Sequence, residues 1–72
     1  MSAEATLRRI GEKCRSMRVE RLKWTVYRAE KETGLQGSQI RAIEEASSDY
    51  TVKSLLRYCT ALGVTVELKV RR

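Results

Sequence analysis

Residues 25–44 read TVYRAEKETGLQGSQIRAIE, and this stretch decides the fold. Thr25 is a residue type whose side-chain oxygen caps a helix start, and a short helix is expected from Val26 to about Thr33. Gly34 follows at once. A glycine just past a helix end adopts the left-handed conformation without a Cβ clash, so it stops the helix and turns the chain. Leu35, Ile40 and Ile43 then supply one apolar face for a second helix, Gln36 to Glu45. Gln36, Gly37, Ser38, Gln39, Arg41 and Ala42 are left facing away from that face to varying degrees.

The chain on either side completes a bundle. Upstream, Leu7, Ile10, Cys14 and Met17 recur at spacings of three and four, which places them on one stripe of a helix from Ala3 to about Arg18. Arg8, Arg9, Lys13, Arg15 and Arg18 fall largely off that stripe, and Ser2 is a plausible cap. Residues 18–24 are ambiguous between a further helical turn and a loop, with Leu22 and Trp24 plugging the core. Downstream, residues 46–49 read as a loop. Thr51 or Asp49 caps a fourth helix ending at Leu62, whose buried side is Val52, Leu55, Leu56, Cys59 and Leu62, and Gly63 ends it as Gly34 ends the second. The period then changes: Val64, Val66, Leu68 and Val70 alternate with polar residues, which is a strand signal. One strand with no partner in the chain leaves both edges unsatisfied. The simplest partner is the same strand of a second copy; the plainer reading is a frayed tail. The expected fold class is therefore all-α, a four- to five-helix bundle over residues 1–63 with a short C-terminal β-strand for dimerisation over residues 64–72.

Composition bounds the function. A chain of 72 residues with 42% apolar side chains holds one small core, and a domain of that size is marginal alone. Histidine is absent and cysteine occurs twice, so neither His-based catalysis nor a four-cysteine zinc site is available. No metal or cofactor is expected, and an enzyme is the least favoured class. Fifteen basic residues against nine acidic ones give a net charge of +6, a balance that suits nucleic acid or an acidic partner. The excess sits at the ends: residues 1–23 are net +4, residues 24–63 neutral and residues 64–72 net +2. No apolar run approaches the roughly 18 residues of a membrane span, and nothing resembles a signal peptide, so a cytoplasmic protein is expected. Cys14 and Cys59 both fall on apolar stripes and are expected to be buried free thiols. Glu44 and Glu45, as helix neighbours, point in different directions and form no catalytic pair.

The ordered set Thr33-Gly34-Leu35, Ile40-Arg41-Ala42-Ile43-Glu44, Leu55-Leu56 and Ala61-Leu62-Gly63-Val64 resembles the lambdoid repressor/Cro-like superfamily, often called the XRE family, over roughly residues 5–66. The resemblance implies a helix-turn-helix whose second helix enters the DNA major groove while the first crosses the backbone. It implies base reading by Gln36, Gly37, Ser38, Gln39 and Arg41. It places phosphate contacts at the helix starts and nearby side chains Thr25, Val26, Arg28, Thr51 and Lys53, with Tyr27 and Tyr50 divided between DNA contact and core packing. This chain departs from the family pattern at Val26, where a Gln is common, at Ala29-Glu30, where Leu-Ala is frequent, and at Ala46, where a Gly usually follows the recognition helix. The implied function is a sequence-specific transcriptional regulator, expected to be a repressor, bound as a homodimer to double-stranded DNA at a palindromic operator of bacterial, phage or mobile-element origin. The run Ala61 to Leu68 also resembles antitoxins that pair through such a strand. The alternative is therefore an antitoxin that binds a toxin protein and autoregulates its operon.

Overall fold

The computed structural model describes residues 3–47 and 50–66. It is all-helical: α1 (Ala3–Ser16), a π-helical turn (Met17–Arg21), α2 (Val26–Thr33), α3 (Gly37–Glu45) and α4 (Val52–Leu62). The core is formed by Cys14 of α1, Ala29 of α2, Leu35 of the turn, Ile40 and Ile43 of α3, and Leu55, Tyr58, Cys59 and Leu62 of α4. Leu22, Trp24 and Tyr50 pack against it from the connections, so Tyr50 belongs to the core rather than to an exposed face.

Local chemistry accounts for the helix boundaries. Thr25 and Thr51 are extended, and their Oγ1 atoms accept from the N–H groups of Arg28 and Ser54, both at 3.1 Å. Gly34 and Gly63 close α2 and α4 in the left-handed conformation at φ 77°, as the sequence leads one to expect. The third C-cap differs: Ala46 ends α3 at φ 56°, a conformation disfavoured by a Cβ.

Three expectations need correction. The stripe assigned to α4 included Val52 and Leu56, but these are 65% and 40% exposed, while Tyr58 is fully buried. Leu56 lies about 100° round the helix from Leu55, and Val52 sits in the first turn, beyond the core's edge. Arg18, placed off the apolar stripe, is buried. The helix does not simply continue to it: the backbone widens, with Leu22 N–H donating to Met17 O at 2.9 Å and Trp24 N–H to Arg18 O at 2.8 Å, and this π turn rolls Arg18 inward. The strand expected from Val64 is not formed by residues 64–66, which carry no strand structure among the described residues. Val64 and Val66 instead pack against this chain's own core. Leu68 and Val70 lie outside the described residues, as do Ser2 and Asp49.

A close approach between α1 and α3 involves a glycine that the sequence did not single out. Gly11 is buried in α1, and a Cβ there would stand 2.4 Å from the carbonyl oxygen of Ile43 and 2.8 Å from that of Glu44. The C-terminal half of α3 thus lies directly on the α1 backbone. Ala42, expected among the outward residues, is buried.

Candidate nucleic-acid interface

The α2–turn–α3 unit is held by capping bonds between neighbours in sequence. Thr33 Oγ1 donates to Ala29 O at 2.7 Å and accepts from Leu35 N–H at 3.1 Å, which ties the end of α2 to the turn. Glu30, one of the departures from the family pattern, turns its carboxylate onto the N–H of Gly37 at 2.7 Å. A carboxylate at a helix N-terminus satisfies an orphan donor and suits the positive end of the helix dipole, so Glu30 acts as a remote cap for α3. Gly37 makes room for this. A Cβ there would meet Glu30 Oε2 at 3.1 Å and Val26 Cγ1 at 3.3 Å. The close approach that Gly37 permits is therefore to α2.

These bonds divide the residues assigned to DNA. Gln36, Ser38 and Arg41 are exposed on α3 and its start. Gln39 is half-buried: its Oε1 accepts from Gln36 N–H at 3.3 Å and its Nε2 reaches Ser54 Oγ at 3.5 Å. Its amide serves as a cap and as a link to α4. Val26 is half-buried against Gly37. Thr25, Arg28, Thr51 and Lys53 are exposed, although the hydroxyls of Thr25 and Thr51 are engaged as caps. Thr51 Oγ1 also donates to Ser54 Oγ at 3.0 Å. Arg28 Nε contacts Glu32 Oε2 at 2.8 Å in an exposed i,i+4 pair. Tyr27 is 66% exposed, with Lys31 Nζ 5.2 Å from its ring centre, which decides against core packing for this tyrosine.

Two basic positions flank α3. On one side a groove is lined by Gly34, Leu35, Gln39, Lys53, Ser54 and Arg57. Arg57 was missed in the sequence reading, and its signal was available: it stands four residues after Lys53, so both occupy one face of α4. On the other side, Arg41 shares a depression with Arg15, Glu12 and Glu45, where the charge is mixed.

Behind α3 lies the cluster that fixes its C-terminal end. Glu44 accepts from Arg18 through Nε at 2.7 Å and Nη2 at 3.0 Å, and from Tyr58 Oη at 2.5 Å. Arg18 Nη1 donates to Trp24 O at 2.9 Å. The side chains of Arg18 and Glu44 are 10% and 5% exposed. Hydrogen bonding to Glu44 raises the Arg18 pKa above its ordinary value. Burial, and then the bond to Glu44, pushes the Tyr58 hydroxyl well above the usual phenol range. This cluster is structural and faces inward. Among the described residues no group of three or more His, Cys, Asp or Glu could hold a metal ion, and no helix is long and apolar enough to cross a membrane.

No protein-family model matches the chain, and no curated protein or solved structure matches it.

Proposed function

We propose that this chain is a helix-turn-helix DNA-binding protein of the lambdoid repressor/Cro-like kind, acting as a homodimer that represses transcription from a palindromic operator. The observation that carries this reading is the α2–turn–α3 unit. Two short helices meet at a left-handed glycine, and Gln36, Ser38 and Arg41 are exposed on the second and its start, while Lys53 and Arg57 line a groove on one side of it. Gln36 and Arg41 carry the donor and acceptor sets suited to adenine and guanine edges. The first-turn N–H groups of α2 and α4 and the side chains of Lys53 and Arg57 serve phosphates. Gln39 positions α3 rather than reading a base.

The test is selection of bound duplexes from a random library at about physiological ionic strength. The expected result is an inverted repeat with half-sites roughly ten base pairs apart, the spacing that a two-fold dimer imposes. Substituting Arg41 by Ala should relax preference at one position of each half-site and cost about 1–3 kcal/mol. Substituting Lys53 by Ala should weaken binding across all sequences alike. No enriched sequence would overturn operator binding by the chain alone.

A further inference from the structure

Cys14 and Cys59 are 45 positions apart in sequence, yet their sulfur atoms stand 3.6 Å apart in the core. Both thiols are free and the two residues are 0% and 1% exposed. Cys14 comes from the last turn of α1 and Cys59 from the last two turns of α4. The two helices thus place their sulfurs side by side. A plain core position would be filled as well by Ala, Val or Leu. Buried thiols are ordinarily inert because nothing reaches them. Here Cys59 also forms part of the wall of a surface groove with Leu56, Thr60, Gly63 and Val64.

We propose that Cys14 and Cys59 form an oxidation-sensitive dithiol whose reaction with a hydroperoxide closes a disulfide between α1 and α4. The sulfur of Cys59 attacks the peroxide O–O bond. One oxygen stays on Cys59 as a sulfenic acid; the other leaves with the Cys59 proton as water or alcohol. The sulfur of Cys14 then attacks the sulfenic sulfur, the S–O bond breaks, and the hydroxyl departs with the Cys14 proton as water. Two thiols and one hydroperoxide become one disulfide, one water and one water or alcohol; the sulfurs lose two electrons and the peroxide gains them. The sulfurs must close from 3.6 Å to about 2.05 Å, a shift of less than an ångström for each side chain. The hydrogen bond between the thiols favours this order of events. It holds the proton on Cys14, raising that thiol, and lowers Cys59, so the sulfur of Cys59 is the better nucleophile.

The experiment uses the unaltered chain, reduced and then exposed to hydrogen peroxide in its folded state. The expected product has lost both thiols in a denaturing thiol assay and is lighter by two hydrogen atoms. It runs as a monomer without reductant, returns to the starting mass with dithiothreitol, and unfolds at higher urea concentration than the reduced chain. Two thiols that remain titratable under conditions that oxidise a small dithiol standard would overturn the proposal. So would a product that gains oxygen atoms, or a disulfide between chains. The order of attack is tested with a sulfenic-acid-trapping dione: Cys14→Ala should be labelled on Cys59 and Cys59→Ala left unlabelled, whereas labelling of Cys14 alone would reverse the assignment.

Discussion

The two ends of α3 are secured in contrasting ways. At its start, most of the bonds link near neighbours, Thr33 to Ala29 and Leu35, Gln39 to Gln36, and Glu30 to Gly37 seven residues on, with one long contact at 3.5 Å from Gln39 to Ser54. At its end, Glu44 meets Arg18 from 26 positions away and Tyr58 from 14, while Gly11 gives the helix a bare backbone to lie on. The first set is exposed or half-exposed and replaceable piece by piece. The second is buried and its members depend on one another. A helix built this way presents an adjustable tip on a fixed base, because changes at the tip leave its anchorage intact.

The sharpest way to break this contrast is to remove Glu44. Glu44→Ala leaves the Arg18 guanidinium buried without its carboxylate and the Tyr58 hydroxyl without its acceptor. Stranding one partner of a buried pair typically costs about 3–5 kcal/mol, a large part of the stability of a domain this small. Urea unfolding should show a much lower midpoint or no cooperative transition. The triple replacement Arg18→Met, Glu44→Leu, Tyr58→Phe should recover much of that loss, since an apolar set of similar volume strands no charge. Equal losses for Glu44→Ala and for Glu30→Ala would erase the distinction between the two ends.

Gly11→Ala probes the same base without touching a charge. Its Cβ would press on two main-chain carbonyls that have no rotamer to escape into, so α3 must lift from α1. Overpacking of this kind costs about 1–3 kcal/mol, even though alanine is the better helix former by about 1 kcal/mol. A neutral or stabilising result would mean that α3 does not lie against α1 at this point.

This asymmetry also explains what was legible in the sequence. The α2 and α4 boundaries were readable because each depends on a residue type with a local effect, Thr25 and Gly34 for one and Thr51 and Gly63 for the other. The cluster at Glu44 was not, because Arg18 looks like a solvated residue until the backbone widens at Met17–Arg21 and turns it inward. Gly11 was invisible for a related reason: a glycine inside a helical pattern reports a neighbour only when the fold is known. In the candidate site the exposed set Gln36, Ser38 and Arg41 was legible from its spacing against Leu35, Ile40 and Ile43. The cap made by Gln39 and the groove position of Arg57 were not drawn out, since both depend on where α4 lies. The alternation from Val64 pointed to a strand, but residues 64–66 form none, and Val64 and Val66 pack on the chain's own core.

Tyr58 gives the contrast a pH signature. Its pKa is raised above the ordinary 10.0, first by burial and then by the bond to Glu44. The neutral phenol is thus favoured in the folded chain, and its contribution is fully present below the unfolded value of about 10. That contribution falls away as pH rises above about 10 toward the higher folded value. Tyr58→Phe should therefore cost about 1–2 kcal/mol at neutral pH through the lost hydrogen bond. It should also flatten the alkaline decline of stability, leaving the smaller part due to Tyr50, which burial also raises. Unfolding midpoints measured from about pH 8 to 11 in both chains check this; parallel curves would show that the phenol is not held neutral by the fold.

The smallest effect belongs to the residue that joins the fixed base to the loop. Ala46 closes α3 at φ 56°, where Gly34 and Gly63 perform the same task at φ 77° for the other helices. Its N–H still makes a cap bond, to Ile43 O at 3.2 Å, and Ser47 N–H reaches Ala42 O at 2.9 Å, so the cap is formed despite the Cβ. A left-handed non-glycine residue costs roughly 1–2 kcal/mol, and glycine's extra freedom in the unfolded chain returns part of that. Ala46→Gly should therefore raise stability by about 0.5–1 kcal/mol, seen as a higher urea midpoint with an unchanged slope. Because the strain sits beyond Glu44 and away from Gln36 and Ser38, the proposed DNA affinity should not change. A loss of stability would place Ala46 in ordinary helical or extended backbone and move the end of α3.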